Sequence, residues 1–138
     1  LLIKVIVDEP ERISKWAMPQ LEGQGNLRET QAFGYELNGE IVGAVIFQDH
    51  SQYDMHVTVV STNSIWWQRR YIKAMYQYVF KQCKCLRLSA MANETNTKSI
   101  KLLKALGFKE EGRLRQFYKD SNAIIFGQLR SECKWIKE

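Results

Sequence analysis

The pattern of apolar and polar residues predicts four short strands in the first half of the chain. Leu1 to Val7 is an apolar run that predicts the first strand. The runs Ala32 to Leu37 and Ile41 to Phe47 flank Asn38-Gly39, a dipeptide that tolerates positive φ at both central positions of a two-residue turn, so they predict a hairpin. Residues 55–60 alternate between two differently lined faces and predict the fourth strand.

Helices are predicted where the apolar period lengthens from two residues to about 3.6. A short helix is expected over Glu11 to Leu21, and Pro19 should end or kink it. The longest apolar stripe runs from Trp66 to Gln82 and predicts the central helix. Another stripe over Thr97 to Leu106 predicts the last helix, and Gly107 follows it where a left-handed residue commonly ends a helix.

Strands are also predicted around the last helix. Leu86 to Ala92 alternates in polarity and lies between two predicted helices, so we expect a parallel crossover with the fourth strand. Gly112 to Tyr118 and Ala123 to Leu129 bracket the turn-forming residues 119–122 and predict a closing hairpin. The predicted fold is a mixed α/β domain over residues 1–138.

Composition excludes classes of protein more than it selects one. The 20 Lys and Arg exceed the 15 Asp and Glu to give a net charge of +5, which suits an anionic ligand but forms no basic stripe along the chain. No apolar run approaches the roughly 20 residues of a membrane helix, and the first run lacks the basic start of a signal peptide. Cys83, Cys85 and Cys133 match no common disulfide or zinc spacing, so we expect free thiols in the cytoplasm and no metal.

The second half of the chain carries a series of short motifs that resembles one enzyme superfamily. The motifs are Asn96-Thr97-Lys98-Ser99, Leu102-Leu103, Leu106-Gly107-Phe108 and Glu110-Glu111-Gly112-Arg113. Their order and spacing closely resemble the GCN5-related N-acetyltransferase (GNAT) superfamily, in particular the branch that acetylates ribosomal-protein N-termini. Residues 126–130 and 133–135 further resemble divergent members from phages and proteobacteria. The resemblance extends over residues 34–135, most of the chain.

This resemblance implies a fold and a reaction. The fold is a mixed, mostly antiparallel sheet, flanked by helices, whose parallel fourth and fifth strands splay apart to admit acetyl-coenzyme A (acetyl-CoA). The reaction is direct transfer of the acetyl group to a primary amine in a ternary complex, without a covalent enzyme intermediate. The acceptor would be a protein N-terminus or a small amine. A homodimer is compatible with this interpretation, whereas no membrane or nucleic-acid partner is expected.

The phosphate-binding loop departs from the superfamily pattern. In the family, glycines before the central helix let backbone N–H groups close around the pyrophosphate of the coenzyme. The matching stretch here is Asn63-Ser64-Ile65-Trp66-Trp67-Gln68, which has no glycine. Either the phosphates lie further out, near Trp67 and Gln68 and bound by Arg69 and Arg70, or the chain has lost the coenzyme. A solvated charged face is the alternative role for the two arginines.

Candidate catalytic residues follow from the chemistry, which needs a neutral amine, a polarised carbonyl and a protonated leaving thiolate. The resemblance assigns the carbonyl to backbone amides of the fourth strand, here from Val57 to Val59. His56 is the best candidate base, because it lies on that strand beside its expected divergence from the fifth and titrates near neutrality. A packed or solvated histidine is the alternative. Asp54 is the next candidate, and Glu40 and His50 are weaker ones.

The acid that protonates the thiolate is harder to assign. Many family members carry a tyrosine where this chain has Leu103, so the usual acid is missing. The resemblance places Asn96 beside the pantetheine arm and Ser99 where its hydroxyl would donate to the sulfur. Helix capping is the alternative role for both residues. Two hypotheses therefore stay open, an N-acetyltransferase and a non-catalytic descendant of the fold that serves as a binding or virion-associated module.

Overall fold

The computed structural model describes residues 2–21 and 31–136, and one mixed sheet organises them. The strands are β1 (Ile3–Ile6), β2 (Gln31–Leu37), β3 (Glu40–Gln48), β4 (Asp54–Ser61), β5 (Arg87–Asn93), β6 (Lys109–Tyr118) and β7 (Ser121–Leu129). The helices are α1 (Pro10–Ala17), α2 (Arg69–Tyr76) and α3 (Thr97–Leu106). Leu1 of the predicted first strand lies outside the described residues.

The sheet order is β1-β2-β3-β4-β5-β7-β6. Every neighbouring pair is antiparallel except β4 and β5, which run parallel. The crossover between these two strands contains α2, as a parallel connection requires. The predicted fold class, a mostly antiparallel sheet with a parallel fourth and fifth strand and flanking helices, is confirmed.

Local signals explain where the first elements begin and end. Pro10 occupies the first turn of α1, where its missing N–H costs nothing, and Pro19 falls in the short 3₁₀ turn Met18–Gln20 that follows the helix. Asn38 and Gly39 have φ of 53° and 84°, the left-handed pair that a tight hairpin between β2 and β3 needs. The predicted short helix and first hairpin are therefore confirmed.

The central helix starts later than predicted and continues at its C-terminal end as a π-helix. Residues Ser64–Trp66 form a separate 3₁₀ turn, because the side chain of Asn63 accepts a hydrogen bond from the backbone N–H of Ile65 and caps it. Helix α2 then starts at Arg69, and Gln77–Gln82 continues it as a π-helix. The predicted helix over 66–82 is thus confirmed for residues 69–82, which do not form one regular α-helix, whereas Trp66 belongs to the separate turn before it.

Helix α3 has the predicted bounds, and its end is held by buried polar contacts. Gly107 adopts a φ of 112° and ends the helix in the left-handed region, as predicted. Gln128 is fully buried, accepts a hydrogen bond from the Tyr76 hydroxyl at 2.6 Å and donates one to the Leu106 carbonyl at 3.1 Å. The Trp135 indole donates to the same carbonyl at 3.0 Å. These contacts join α2, α3, β7 and the C-terminal segment.

Two apolar clusters cover the two faces of the sheet. The larger cluster packs α2 and α3 against Met55, Val57 and Leu88 of the central strands. The smaller cluster packs Ile13 and Ala17 of α1 against the opposite face. The parallel pair β4 and β5 lies near the centre of the sheet. Helices α2 and α3 cover one face of the sheet there, and α1 packs on the opposite face over β2 and β3.

Candidate active site

The candidate site is the cleft that opens where β4 and β5 diverge. The two strands pair only at Asp54 with Arg87, Met55 with Leu88, and His56 with Ser89, although both continue for several residues. Beyond this apex their facing edges and the start of α3 enclose a cleft of about 350 Å³. Unpaired strand edges offer backbone donors and acceptors to an extended ligand.

Several of the predicted site residues line this cleft. The structure brings together His56, Val57, Val59, Asn96 and Ser99. Thr58, Met91, Asn93, Lys98, Leu103 and Tyr118 also line it, as do Gln20 and Leu21 from the segment after α1. The cleft is thus built from the central strands, the start of α3 and the end of β6.

His56 is half-buried at the apex of the cleft, in register with Gln48 on one side and Ser89 on the other. Burial lowers the pKa of His56 below its usual range, and the carboxylates of Asp49 and Asp54 partly oppose this shift. The neutral imidazole is the form that can accept a proton from an amine. The position and the electrostatics both suit a general base.

Asp54, the second candidate base, is already engaged at the closed end of the cleft. Its Oδ1 accepts a hydrogen bond from the Ser89 hydroxyl at 2.7 Å and lies 3.3 Å from Nε of Arg87. Asp54 does not line the cleft, and Glu40 and His50, the weaker candidates, are exposed outside it. The geometry therefore favours His56 among the candidates that the sequence offered.

The start of α3 presents both candidate ligands of the pantetheine arm. The Asn96 side chain accepts a hydrogen bond from the backbone N–H of Ser99 at 3.1 Å, so it caps the helix as the alternative interpretation expected. The Ser99 side chain is half-buried and lines the cleft beside Leu103. Asn96 keeps amide groups at the cleft even while it caps, because a primary amide has two donors in addition to its oxygen.

Sequence reasoning missed Tyr118, a buried aromatic residue that lines the cleft from the end of β6. The nine residues of β6 before it are all exposed. The register of β6 with β7 shifts between Leu114 and Tyr118, and Gln116 has a left-handed φ of 50°. Such a bulge breaks the two-residue alternation, so no periodic signal indicated which face Tyr118 occupies.

The residues proposed to bind phosphate lie outside the cleft. Trp67 packs edge-on against Trp66, and the Gln68 side chain donates back to the Ile65 carbonyl at 3.0 Å. Arg69 and Arg70 are exposed in the first turn of α2. Their guanidinium carbons lie 5.9 Å from the Trp135 ring centre and 4.7 Å from the Tyr71 ring centre, respectively.

Within residues 2–21 and 31–136, no helix is long and apolar enough to cross a membrane. The same residues contain no group of three His, Cys, Asp or Glu side chains that could hold a metal ion.

The sequence matches the model of one protein family. Residues 15–125 match the acetyltransferase (GNAT) domain, which is most of the chain. The chain belongs to the GNAT acetyltransferase family. Enzymes of this family use acetyl-CoA as cosubstrate.

Solved structures of GNAT proteins share this fold at low sequence identity. A GNAT acetyltransferase from Bacillus anthracis is 20% identical with a TM-score of 0.60, over 73% of this chain and 67% of the other. A ribosomal-protein-S5-alanine acetyltransferase from Vibrio fischeri is 18% identical with a TM-score of 0.70, over 96% and 95%. A dodecameric spermidine N-acetyltransferase from Vibrio cholerae is 12% identical with a TM-score of 0.73, over 94% of each chain. A search of curated proteins found no significant match.

The described residues fit the thioester arm of acetyl-CoA better than its phosphates. The separated edges of β4 and β5 can pair with the amides of an extended pantetheine chain. The loop before α2 is closed by Trp66, which is buried and stacked on Tyr35 with ring centres 4.4 Å apart. The interior of this loop is therefore occupied by an indole ring.

Proposed function

We propose that this GNAT protein transfers the acetyl group of acetyl-CoA directly to a primary amine in a ternary complex. The observation that supports the proposal most is the position of His56, a half-buried imidazole at the apex of the β4–β5 cleft. Burial keeps the imidazole neutral near physiological pH. An acetylation assay with a panel of amines, read by mass spectrometry, tests this activity.

Each residue at the cleft has one task in this proposal. Acetyl-CoA supplies an activated carbonyl as its thioester. His56 accepts a proton from the amine, so the nitrogen lone pair can attack that carbonyl and form the C–N bond. Backbone N–H groups between Val57 and Val59 donate to the carbonyl oxygen as negative charge develops there. The C–S bond then breaks, and Ser99 donates a proton to the leaving sulfur and regains one from solvent. The new amide nitrogen loses its remaining excess proton to solvent, and His56 releases its proton there as well.

Tyr118 competes with Ser99 for the role of acid. Both side chains line the cleft and both carry a hydroxyl donor. Ser99→Ala and Tyr118→Phe each remove one hydroxyl with little change in shape. If Ser99 is the acid, Ser99→Ala lowers kcat over the whole pH range and Tyr118→Phe does not. The reverse result transfers the role to Tyr118.

For the coenzyme phosphates, we propose a surface site at the start of α2. Arg69 and Arg70 supply the positive charge there, beside Trp67 and Gln68, where a guanidinium can contact phosphate oxygens in pairs. Asn96 and Ser99 would hold the pantetheine arm nearer the cleft. In this arrangement arginine side chains replace the glycine-rich backbone of other family members.

For the acceptor, we propose the α-amino group of a protein N-terminus or another small amine with little additional positive charge. Lys98 is a cation on the wall of the cleft and would repel a polycation. Comparison of an alanine-initiated peptide with spermidine, at equal concentrations, tests this choice. The sequence resembles the branch that acetylates ribosomal-protein N-termini, so faster acetylation of the peptide supports a substrate of that type. Faster acetylation of spermidine contradicts it.

The alternative proposal is a non-catalytic binding module that retains the fold, as in a phage particle. The buried Trp66 in the phosphate loop and the leucine at position 103 favour it. A protein that binds no coenzyme A but keeps its fold would support this alternative. Calorimetric titration with coenzyme A separates the two proposals before any acceptor is known.

We also propose a bacterial or phage-infected cytoplasm as the setting, and self-association as a homodimer. Cys83, Cys85 and Cys133 form no disulfide bond with one another, which suits a reducing compartment. Sedimentation at several protein concentrations tests the oligomeric state. A monomer at every concentration contradicts the dimer without affecting the proposed reaction.

A further inference from the structure

Four polar side chains form a continuous strap across the sheet at the closed end of the cleft. They belong to Asp54 on β4, Ser89 and Arg87 on β5, and Glu111 on β6. Ser89 donates to Asp54 at 2.7 Å, Nε of Arg87 donates to the Ser89 hydroxyl at 3.1 Å, and Nη2 of Arg87 donates to Glu111 at 2.6 Å. We call these four residues the polar strap.

The strap crosses β7 at Gly127, which lies between β5 and β6 in the sheet. A Cβ atom at Gly127 would lie 2.3 Å from Oε1 of Glu111 and 2.5 Å from Nη2 of Arg87. Any larger residue would therefore displace the Arg87–Glu111 ion pair. The absent side chain at position 127 leaves the space through which the guanidinium reaches Glu111.

The strap lies directly beside His56. Asp54 precedes His56 by two residues on β4, so both side chains point to the same face of the sheet, and Ser89 is the register partner of His56. Because burial lowers the pKa of His56 while Asp49 and Asp54 raise it, the imidazole senses both carboxylates. The orientation of the Asp54 carboxylate therefore affects the pKa of His56.

The charged groups around His56 come from several elements. Asp49 follows β3, and β4, β5 and β6 contribute Asp54, Arg87 and Glu111. At the cleft wall, α3 contributes the cation Lys98 and β6 the hydroxyl of Tyr118. On the α1 side the described lining is neutral, Gln20 and Leu21. The cations of that helix, Arg12 and Lys15, line a separate groove with Glu40. Arg87 is thus the cation that binds a carboxylate next to His56.

We propose that Arg87 is a positioning residue that, anchored by Glu111 across Gly127, holds the Asp54 carboxylate on Ser89 and away from His56. The inference rests on the proposed role of His56 as base. Without the guanidinium, Asp54 would turn toward His56 and stabilise the imidazolium. A protonated imidazole has no lone pair for the amine proton, so the acid limb of the rate profile would move to higher pH.

The test is an NMR titration of the two histidines in the ligand-free protein. Arg87→Gln should raise the pKa of His56 by about 0.5 or more, because an uncompensated carboxylate stays on the same face. Arg87→Lys should restore most of the wild-type pKa. Exposed His50 is the internal reference, and Arg113→Gln is the matched control, since it also removes an arginine paired with a carboxylate, Glu94.

If Arg87→Gln does not fold, Glu111→Gln keeps the proposal testable, because it leaves the guanidinium in place but removes its anchor, and it should also raise the pKa of His56. A second pair of variants tests whether Arg87 acts through Asp54. With Asp54→Asn as background, removal of Arg87 should leave the pKa of His56 nearly unchanged, because the carboxylate through which Arg87 acts is gone. A pKa of His56 that is the same in wild type and Arg87→Gln contradicts the proposal. So does an equal rise in the presence and absence of Asp54. Neither measurement needs acetyl-CoA. A negative result would therefore contradict the role of Arg87 without deciding whether the protein transfers an acetyl group.

Discussion

At the residue scale, burial and two carboxylates act on His56 in opposite directions, and burial is the larger effect. The folded pKa of His56 therefore lies below its value in the unfolded chain, which is about 6.5. Above that pH the His56 imidazole is neutral in both the folded and the unfolded chain, and the contribution of His56 to stability is fully present. As the pH falls below it, the unfolded chain binds the proton first, so stability decreases.

The same shift sets the expected pH dependence of the reaction. The acid limb of the kcat/KM profile should fall below pH ~6.5, and His56→Ala should flatten it with a loss of roughly 10²- to 10⁴-fold in rate. Coenzyme A affinity should change little. The control is His50→Ala, because His50 is exposed and outside the cleft. If His56→Ala keeps the wild-type profile, the proton goes to a water chain or to another group.

Gly107 gives a residue-scale prediction that holds whether or not the protein is an enzyme. Gly107→Val should destabilise the fold by about 1–3 kcal/mol, because a β-branched residue is strained at positive φ. Its Cβ would also lie 2.7 Å from Nε2 of buried Gln128. Urea unfolding measures the change, with Gly112→Val as control, since a Cβ at Gly112 meets no atom within 4 Å. Equal destabilisation of both variants would contradict this account.

At the element scale, one tryptophan joins the loop before α2 to the sheet. Trp66 stacks on Tyr35, and its indole N–H donates to the Ser61 hydroxyl at 2.9 Å. Its ring lies over Gly43 of β3, where a Cβ would be 2.1 Å from the indole. The close approach of ring and backbone explains why this strand position is a glycine.

Gly43→Ala should therefore destabilise the protein by about 1–3 kcal/mol, the usual range for overpacking. The indole is held by stacking and by a hydrogen bond, so it cannot move without loss of both contacts. Thermal unfolding together with tryptophan fluorescence checks the prediction. Gly112→Ala is the matched control, and a Gly43→Ala protein as stable as this control would show that the loop can move away from the sheet.

The first turn of α2 gives a second prediction at this scale. The double change Arg69→Ala and Arg70→Ala should weaken coenzyme A binding more at low salt than at high salt, because charge-assisted contacts to phosphate are screened. Lys73→Ala removes an exposed cation from the last turn of the same helix and serves as control. If affinity is unchanged at both salt concentrations, the two arginines do not bind the coenzyme and form only a solvated charged surface.

Secondary structure was more predictable from the sequence than the geometry of the site. Helix α3 and the β2–β3 hairpin follow from local signals, a capping asparagine with Gly107 and the Asn38-Gly39 turn, and both were predicted closely. Tyr118 was missed because a bulge places it, and the Gly127 crossing depends on strands that are distant in the chain. Contacts of this kind are set by tertiary packing, which periodicity does not encode.

At the scale of the whole molecule, the order of the strands creates the site. A parallel pair in a mostly antiparallel sheet is held at one end by three residue pairs and the polar strap. At the other end the two strands are unpaired, and the start of α3 lines the cleft between them. The far end of α3 is fixed by Gln128 and Trp135. The cleft is thus a property of the fold, and its chemistry depends on the few residues at its apex.

The central claim is that acetyl-CoA binds in the cleft between β4 and β5. Calorimetric titration with coenzyme A should show one site per chain, and Ser99→Trp, which fills the cleft wall, should abolish the heat. Lys101→Trp is the control on the same helix, since Lys101 is exposed and does not line the cleft. No heat and no thermal shift at millimolar coenzyme A, or equal binding by wild type and Ser99→Trp, would contradict the claim.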